Sequence, residues 1–373
     1  MTTNHHIAEF PHSRRRFLKA TAAVALPWVV PSTALGAKAP SNRINVACIG
    51  TGNQGAGILR RFMQNEDVQI VAVCDVNTAS HGYREEDQFL GREPARKMVD
   101  EHYGNTDCVL YRDMYDILER DDIDAVLITT GDRWHTLAST LAAKAGKDIY
   151  CEKPQTYTIL EGRRIVEAVR KYKRVFQTGT QQRSGRNEYA GCMYVRNGAI
   201  GKVKRVLASN YHSPMEPKYP KQDIPEGLNW DMWCGPAEPP PFNFVIWDNS
   251  SNPSWVSIRP FSGGEMTDWG AHGLDMAQWG LGMDESGPVE VWTEGEPFKT
   301  MVSTPEAPGG RHRGPRSPMV VMKYPGDIIM ELAGGPSNSG VRFIGEKGTM
   351  DVVRGRYRAS SPELTARPLD DAR

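Results

Sequence analysis

The chain has 373 residues, with 45 lysines and arginines against 45 acids, so its formal charge is zero and the totals give no polyanion-binding face. Apolar residues at 39% and charged residues at 24% exclude a disordered or collagen-like chain, and no run reaches the roughly eighteen apolar residues needed to cross a bilayer. Six scattered cysteines with no C-x-x-C pair exclude a disulfide framework and read as buried thiols.

In chain order the first signal is basic, then apolar, then small. Ser13-Arg14-Arg15-Arg16-Phe17-Leu18-Lys19 leads into Ala20 to Val30 and then Ala34-Leu35-Gly36-Ala37. That order predicts a bacterial export signal over 1–39, and the paired arginines resemble the twin-arginine type, which implies the twin-arginine machinery as a partner and a periplasmic destination.

Ile44 to Ile49 predicts a strand that ends in Gly50-Thr51-Gly52-Asn53-Gln54-Gly55, and Ile58, Leu59, Phe62 and Met63 then recur at helical spacing. A second strand, Val68 to Cys74, ends in Asp75, twenty residues beyond Gly55. A glycine trio alone is weak, but strand before, helix after and an acid at this distance make a dinucleotide fingerprint. Gly50 permits the turn, Gly52 admits a pyrophosphate to the helix N-terminus, and Gly55 lets helix and strand pack closely. Asp75 would accept from ribose hydroxyls and repel a 2'-phosphate, which favours NAD over NADP.

Strand and helix keep alternating through Ile123 to Thr129, His135 to Ala145, Asp148 to Cys151, a helix capped by Thr158 and Glu161, and Val175 to Thr178. The fold class is therefore α/β, with a doubly wound parallel Rossmann sheet over 40–180. Ligands bind beyond the carboxyl ends of such strands. Thr129, Thr130, Trp134 and His135, then Glu152 and Lys153 before Pro154, then Gln181 fall there; all but Pro154 join the expected cofactor-binding set, with a structural cap as the alternative role for His135.

Beyond Ser184 a helix near Asn187 to Asn197 gives way to strand-like runs between turn residues, which predicts a C-terminal α/β domain over 181–353 with an open, mostly antiparallel sheet. Residues 354–373 read as a short tail. Between Pro214 and Pro260 lie ten prolines and four tryptophans (Trp230, Trp233, Trp247, Trp255), an arm expected to cover a surface because tryptophans favour burial.

Gly263 and Gly264 open a helix on which Asp268 and His272 stand four apart, with Asp275 three further, all on one side. A carboxylate beside an imidazole orients the ring, so His272 is the expected proton acceptor. Lys153, ending a buried strand, can hydrogen-bond a substrate hydroxyl, and a nearby nicotinamide would depress its pKa. No further His or Cys is spaced to complete a metal site.

The glycine fingerprint, Cys74-Asp75, Trp134-His135, Glu152-Lys153-Pro154, Gly179-Thr180-Gln181-Gln182-Arg183-Ser184 and Thr267 to Asp275 together resemble the Gfo/Idh/MocA family (glucose-fructose oxidoreductase, inositol dehydrogenase), from about Ile44 to Met350. The resemblance implies NAD(P)-dependent chemistry on sugars, inositols or related polyols in a homo-oligomer whose second domain binds substrate and mediates assembly. It implies Lys153 on the reacting hydroxyl, His272 as acid/base, and Asp268 positioning substrate or imidazole. Three departures stand out: Gly131 replaces a usual proline, Ser262 replaces the first of three glycines, and the chain stops at Arg373 where relatives run on.

The leading expectation is oxidation of a secondary carbinol, with His272 taking the hydroxyl proton. Export, where free NAD is scarce, suggests a retained cofactor and a redox-neutral cycle of epimerisation, elimination or sugar-to-sugar transfer. A non-catalytic sugar-binding protein is the remaining alternative.

Overall fold

Strands β1 (Ile44–Ile49), β2 (Val68–Cys74), β3 (Val109–Tyr111), β4 (Ala125–Ile128), β5 (Asp148–Glu152) and β6 (Phe176–Gly179) pair in the order β3-β2-β1-β4-β5-β6, all parallel. The computed structural model describes residues 42–81, 87–248, 253–309, 318–336, 339–367 and 369. The expected export signal lies outside the described residues. Ile44–Arg373 forms one compact unit, distinct from Met1–Arg43.

Strand β1 shows why its sequence is apolar at nearly every position. Val46 and Cys48 pack into a core with Ile58, Leu59 and Met63 of α1 (Asn53–Met63), while Ala47 and Ile49 enter the opposite core with Ala138, Ala142 and Ala143. Successive side chains leave opposite faces, so a sheet covered on both sides needs apolar residues throughout. Helices α2 (Arg92–Tyr103), α3 (Met114–Leu118), α4 (Asp132–Lys144) and α5 (Ile159–Tyr172) complete this layer. The capping box of α5 forms as its spacing predicts: Thr158 N donates to Glu161 Oε2 at 2.7 Å and Glu161 N to Thr158 Oγ1 at 3.3 Å. All six cysteines are buried and free.

The second sheet holds β7 (Val203–Ala208), β9 (Glu290–Glu294), β11 (Met319–Tyr324), β12 (Ile328–Glu331), β13 (Val341–Gly345), β14 (Thr349–Val353) and β15 (Arg356–Ala359), in the order β15-β14-β13-β7-β12-β11-β9. Every neighbouring pair is antiparallel except β7 with β12, which makes the sheet mixed. Strands β8 (Glu216–Pro217) and β10 (Val302–Ser303) form a small separate pair. The helix α6 (Arg186–Arg196) packs on the large sheet through Cys192, Met193 and Val195, against Val206, Phe343 and Val352. The tail expected over 354–373 needs correction, because β15 pairs with β14 and extends the sheet to Ala359.

The proline- and tryptophan-rich arm carries two short helices, α7 (Trp230–Cys234) and α8 (Phe244–Trp247). It builds its own core from Trp230, Phe242, Ile246, Trp247, Ile258 and Phe261, with Trp230 stacked on Trp233 at 4.7 Å. The long helix α9 (Glu265–Gly280) follows it and lays Met276 and Ala277 on the second sheet.

Candidate active site

At the carboxyl ends of the first sheet, where its strand order reverses between β1 and β4, lies a cleft of about 540 Å³ bordered also by the arm, α9 and the turn after β14. Its inner wall is the glycine turn. Gly50 has φ +91°, and a Cβ there would stand 2.9 Å from the backbone of Thr129, so conformation and space both require glycine. A Cβ on Gly55 would lie 2.1 Å from the carbonyl oxygen of Gly50, which is the close packing the fingerprint predicts. Helix α1 begins with no side-chain cap and no acid in its first turn, and Gly52, Asn53 and Gln54 line the cleft. Its first N–H groups are therefore available to a phosphate.

Asp75 stands at the end of β2. Its Oδ2 accepts from Thr51 N at 2.6 Å and Thr51 Oγ1 at 3.1 Å, and its Oδ1 accepts from Asn77 N at 2.9 Å. Burial raises its pKa against the hydrogen bonds from Asn77 and Thr51, which lower it. Each carboxylate oxygen has lone pairs beyond these, so a ribose diol can still donate to it. The uncapped helix start, the obligate glycine and this carboxylate fit a dinucleotide.

Thr129, Thr130, Trp134, Glu152, Lys153 and Gln181 also line the cleft, and Gln54 Nε2 donates to Gln181 Oε1 at 3.3 Å. Thr51 and Gly55 stand behind the wall and shape it. His135 does not line the cleft and needs correction. It is 1% exposed, with Nδ1 at 2.5 Å from Pro154 O and Nε2 at 3.0 Å from Thr130 O. Two carbonyl acceptors are both satisfied only by an imidazolium. Burial pushes His135 down, but Cys151, Asp132 and the Pro154 carbonyl outweigh it and hold its pKa at about 9. It is a structural pin between β4 and the loop that carries Lys153.

Lys153, Asp268 and His272 line the same cleft. Lys153 Nζ is ion-paired with Asp268 Oδ1, 115 residues away, and both side chains are largely buried. Burial alone would lower the Lys153 pKa; the Asp268 carboxylate reverses this and raises it. Asp268 thus gives one carboxylate oxygen to the lysine and also acts on the imidazole of His272. His272, 5% exposed, is pushed down to about 3 by burial first, then by Lys153 and Arg354, with Asp268 opposing. It is neutral at physiological pH, the form that accepts a proton. Asp275 turns away and takes two nitrogens of Arg183 at 2.8–3.0 Å.

The sequence did not disclose Arg133. Its guanidinium lies 3.8 Å from the Trp233 ring centroid and 5.0 Å from that of Phe261, and its Nε and Nη2 donate to Trp233 O at 2.9 and 2.6 Å. Trp134 Nε1 donates to Met232 O at 3.1 Å beside it. The start of α4 thereby clamps the arm, and Trp233, Trp247 and Trp255 become cleft wall. Gly131 now has a reason: a Cβ there would stand 2.2 Å from Arg133 Nη1, so the usual proline would collide with the clamp. Ser262 has one as well, since its Oγ donates to buried Asp132 at 2.8 Å and accepts from Gly264 N at 3.2 Å. Gly131→Ala is expected to lower stability by about 1–3 kcal/mol, because the sandwiched guanidinium has little room to give. Urea unfolding measures this, and an unchanged midpoint would show that the clamp moves freely.

Residues 44–180 match the family model GFO_IDH_MocA, described as an oxidoreductase family with an NAD-binding Rossmann fold, and residues 210–305 match that of its C-terminal alpha/beta domain. A glycosyl hydrolase family 109 protein of Stenotrophomonas maltophilia is 27% identical over 236 residues, 61% of this chain and 48% of that protein. An inositol 2-dehydrogenase of Salmonella paratyphi B is 27% identical over 178 residues, 47% of this chain and 48% of that protein. The chain thus spans about half the length of the curated relatives it matches. Among solved structures, myo-inositol dehydrogenase from Lactobacillus casei, in complex with NAD(H) and myo-inositol, shares the fold at 19% identity and a TM-score of 0.52, covering 83% of this chain and 74% of that one.

Proposed function

The chain belongs to the Gfo/Idh/MocA family of NAD-binding oxidoreductases, and from that premise we propose that it oxidises or reduces a secondary alcohol of a sugar, inositol or related polyol. The observation that carries this reading is the convergence of Lys153, Asp268 and His272 on one cleft with the glycine turn, although they come from the loop after β5 and from α9.

Gly50, Gly52 and the first turn of α1 would hold the pyrophosphate, and Asp75 the adenosine ribose. When bound, the nicotinamide supplies a hydride acceptor or donor. Lys153, kept charged by Asp268, has donors left over for the substrate hydroxyl oxygen and steadies negative charge as it develops there. His272, already neutral, takes the hydroxyl proton on a ring nitrogen and returns it in the reverse direction. The tryptophan wall offers flat apolar faces to a sugar ring and keeps water from the reacting carbon.

A redox-neutral cycle with retained NAD is the second reading. It is favoured by the relatives named as glycosyl hydrolases, whose reaction class has no net oxidation, and it accords with the export expected from residues 1–39. Steady-state NADH release by purified protein, supplied with excess NAD and a panel of sugars and inositols, separates the two. Accumulating NADH supports net oxidation. Sugar conversion without free NADH supports the retained-cofactor cycle. The absence of both conversion and NAD binding would leave only a non-catalytic sugar-binding role.

A further inference from the structure

We propose that Arg354 is an anion-reading residue of the substrate cleft, and that the substrate therefore carries a carboxylate or phosphate beside its reacting hydroxyl; this rests on the oxidoreductase reading above.

Arg354 occupies the turn between β14 and β15 and lines the same cleft as Lys153, Asp268 and His272. The turn is pinned from both sides. Gly355, at φ +80°, donates its N–H to Glu188 Oε1 at 2.8 Å, and its carbonyl accepts from Asn187 Nδ2 at 2.6 Å. The guanidinium carbon of Arg354 stands 5.2 Å from the Trp269 ring centroid, and Trp269 lies between Asp268 and His272 on α9. Stacking uses the flat face of a guanidinium and leaves its N–H edge for a planar anion. The charge of Arg354 also reaches His272, where it helps to hold the imidazole neutral.

Two described cations that line this cleft are engaged. Lys153 is paired with Asp268, and Arg133 is bonded to the Trp233 carbonyl inside its aromatic sandwich. On the second sheet Arg342 is paired with Asp351, and off it Arg183 and Arg196 share Asp284. Among the described residues Arg354 forms no ion pair; the exposed side chain reaches over the Trp269 ring from a turn whose backbone is held in place. A forked donor so placed recognises a carboxylate or phosphate, and rejects a neutral isostere that cannot accept two charge-assisted bonds.

The test titrates hexuronates, aldonates and hexose phosphates, each beside its neutral parent sugar, into the full chain with and without NAD, by calorimetry. At least one acid is expected to bind about tenfold or more tightly than its parent. Whether carboxylates or phosphates show the gap identifies the source of the charge. Arg354→Met should bring the gap to about unity, and Arg354→Lys, with a point charge but no fork, should keep only part of it. If no acid outbinds its parent, or the preference survives Arg354→Met, the proposal is overturned. Absence of NAD binding in the same titrations would sink the oxidoreductase reading separately, because the acid preference is also measured without NAD.

Discussion

His272→Ala is expected to lower kcat by about 10²–10⁴-fold, the usual worth of a positioned general base, while NAD binding is spared because the glycine turn, the first turn of α1 and Asp75, which would hold the dinucleotide, are untouched. Turnover at the wild-type rate would refute the assignment. The pH behaviour follows from the same residue. The ordinary imidazole value is 6.5, and burial, with Lys153 and Arg354, depresses that of His272 to about 3. Between those values the unfolded chain binds a proton that the folded chain refuses, so this residue makes stability fall as pH drops from 6.5 toward 3. Thermal unfolding across that window should therefore be less pH-dependent in the alanine variant. Activity itself should show no acid limb near pH 6.5, since the base stays neutral well below it.

Lys153→Met is expected to reduce kcat/KM by about 10²–10³-fold, the typical effect of removing one donor to a developing oxyanion. It should also change the pH profile in a way that loss of packing alone would not. After burial, Lys153 is the next largest influence pushing His272 down, and Asp268 pulls it up. With the ammonium gone and Asp268 still pulling upward, the His272 pKa rises and an acid limb should move up into the measurable range in the residual activity. Lys153→Arg should rescue little, because a planar fork does not replace a compact ammonium. Full activity in the methionine variant, or an unshifted profile, would remove Lys153 from the mechanism.

Two side chains have partners that the local sequence does not show. His135 and Asp268 were assigned by what stands next to them along the chain, and each is claimed by a group from elsewhere. Pro154 and Thr130 offer carbonyls to both His135 nitrogens, and Lys153 reaches Asp268 from the first sheet. Helical spacing correctly put Asp268 and His272 on one face of α9, but spacing on a single helix cannot name a partner brought by another element. Arg354 was missed because nothing local marks it. It is an arginine in a hairpin turn, and only the folding of β14 and β15 beside α9 brings it to His272.

The sequence by itself determined whatever is written within some thirty residues: the strand, glycine turn and helix of the nucleotide site, the acid at the end of β2, the alternation that demands a parallel sheet, and the capping box of α5. These are legible because backbone hydrogen bonding and burial impose periods of two and 3.6 residues on the choice of side chain. Tertiary structure alone decided the Lys153–Asp268 pair, the clamp of Arg133 on the tryptophan arm with its need for Gly131, and the entry of Arg354 into the cleft. Lys153 and Asp268 stand 115 positions apart, Arg133 and Trp233 stand 100 apart, and Arg354 and Trp269 stand 85 apart; their geometry comes from how two sheets and an aperiodic arm pack, which leaves no repeat in the order of residues.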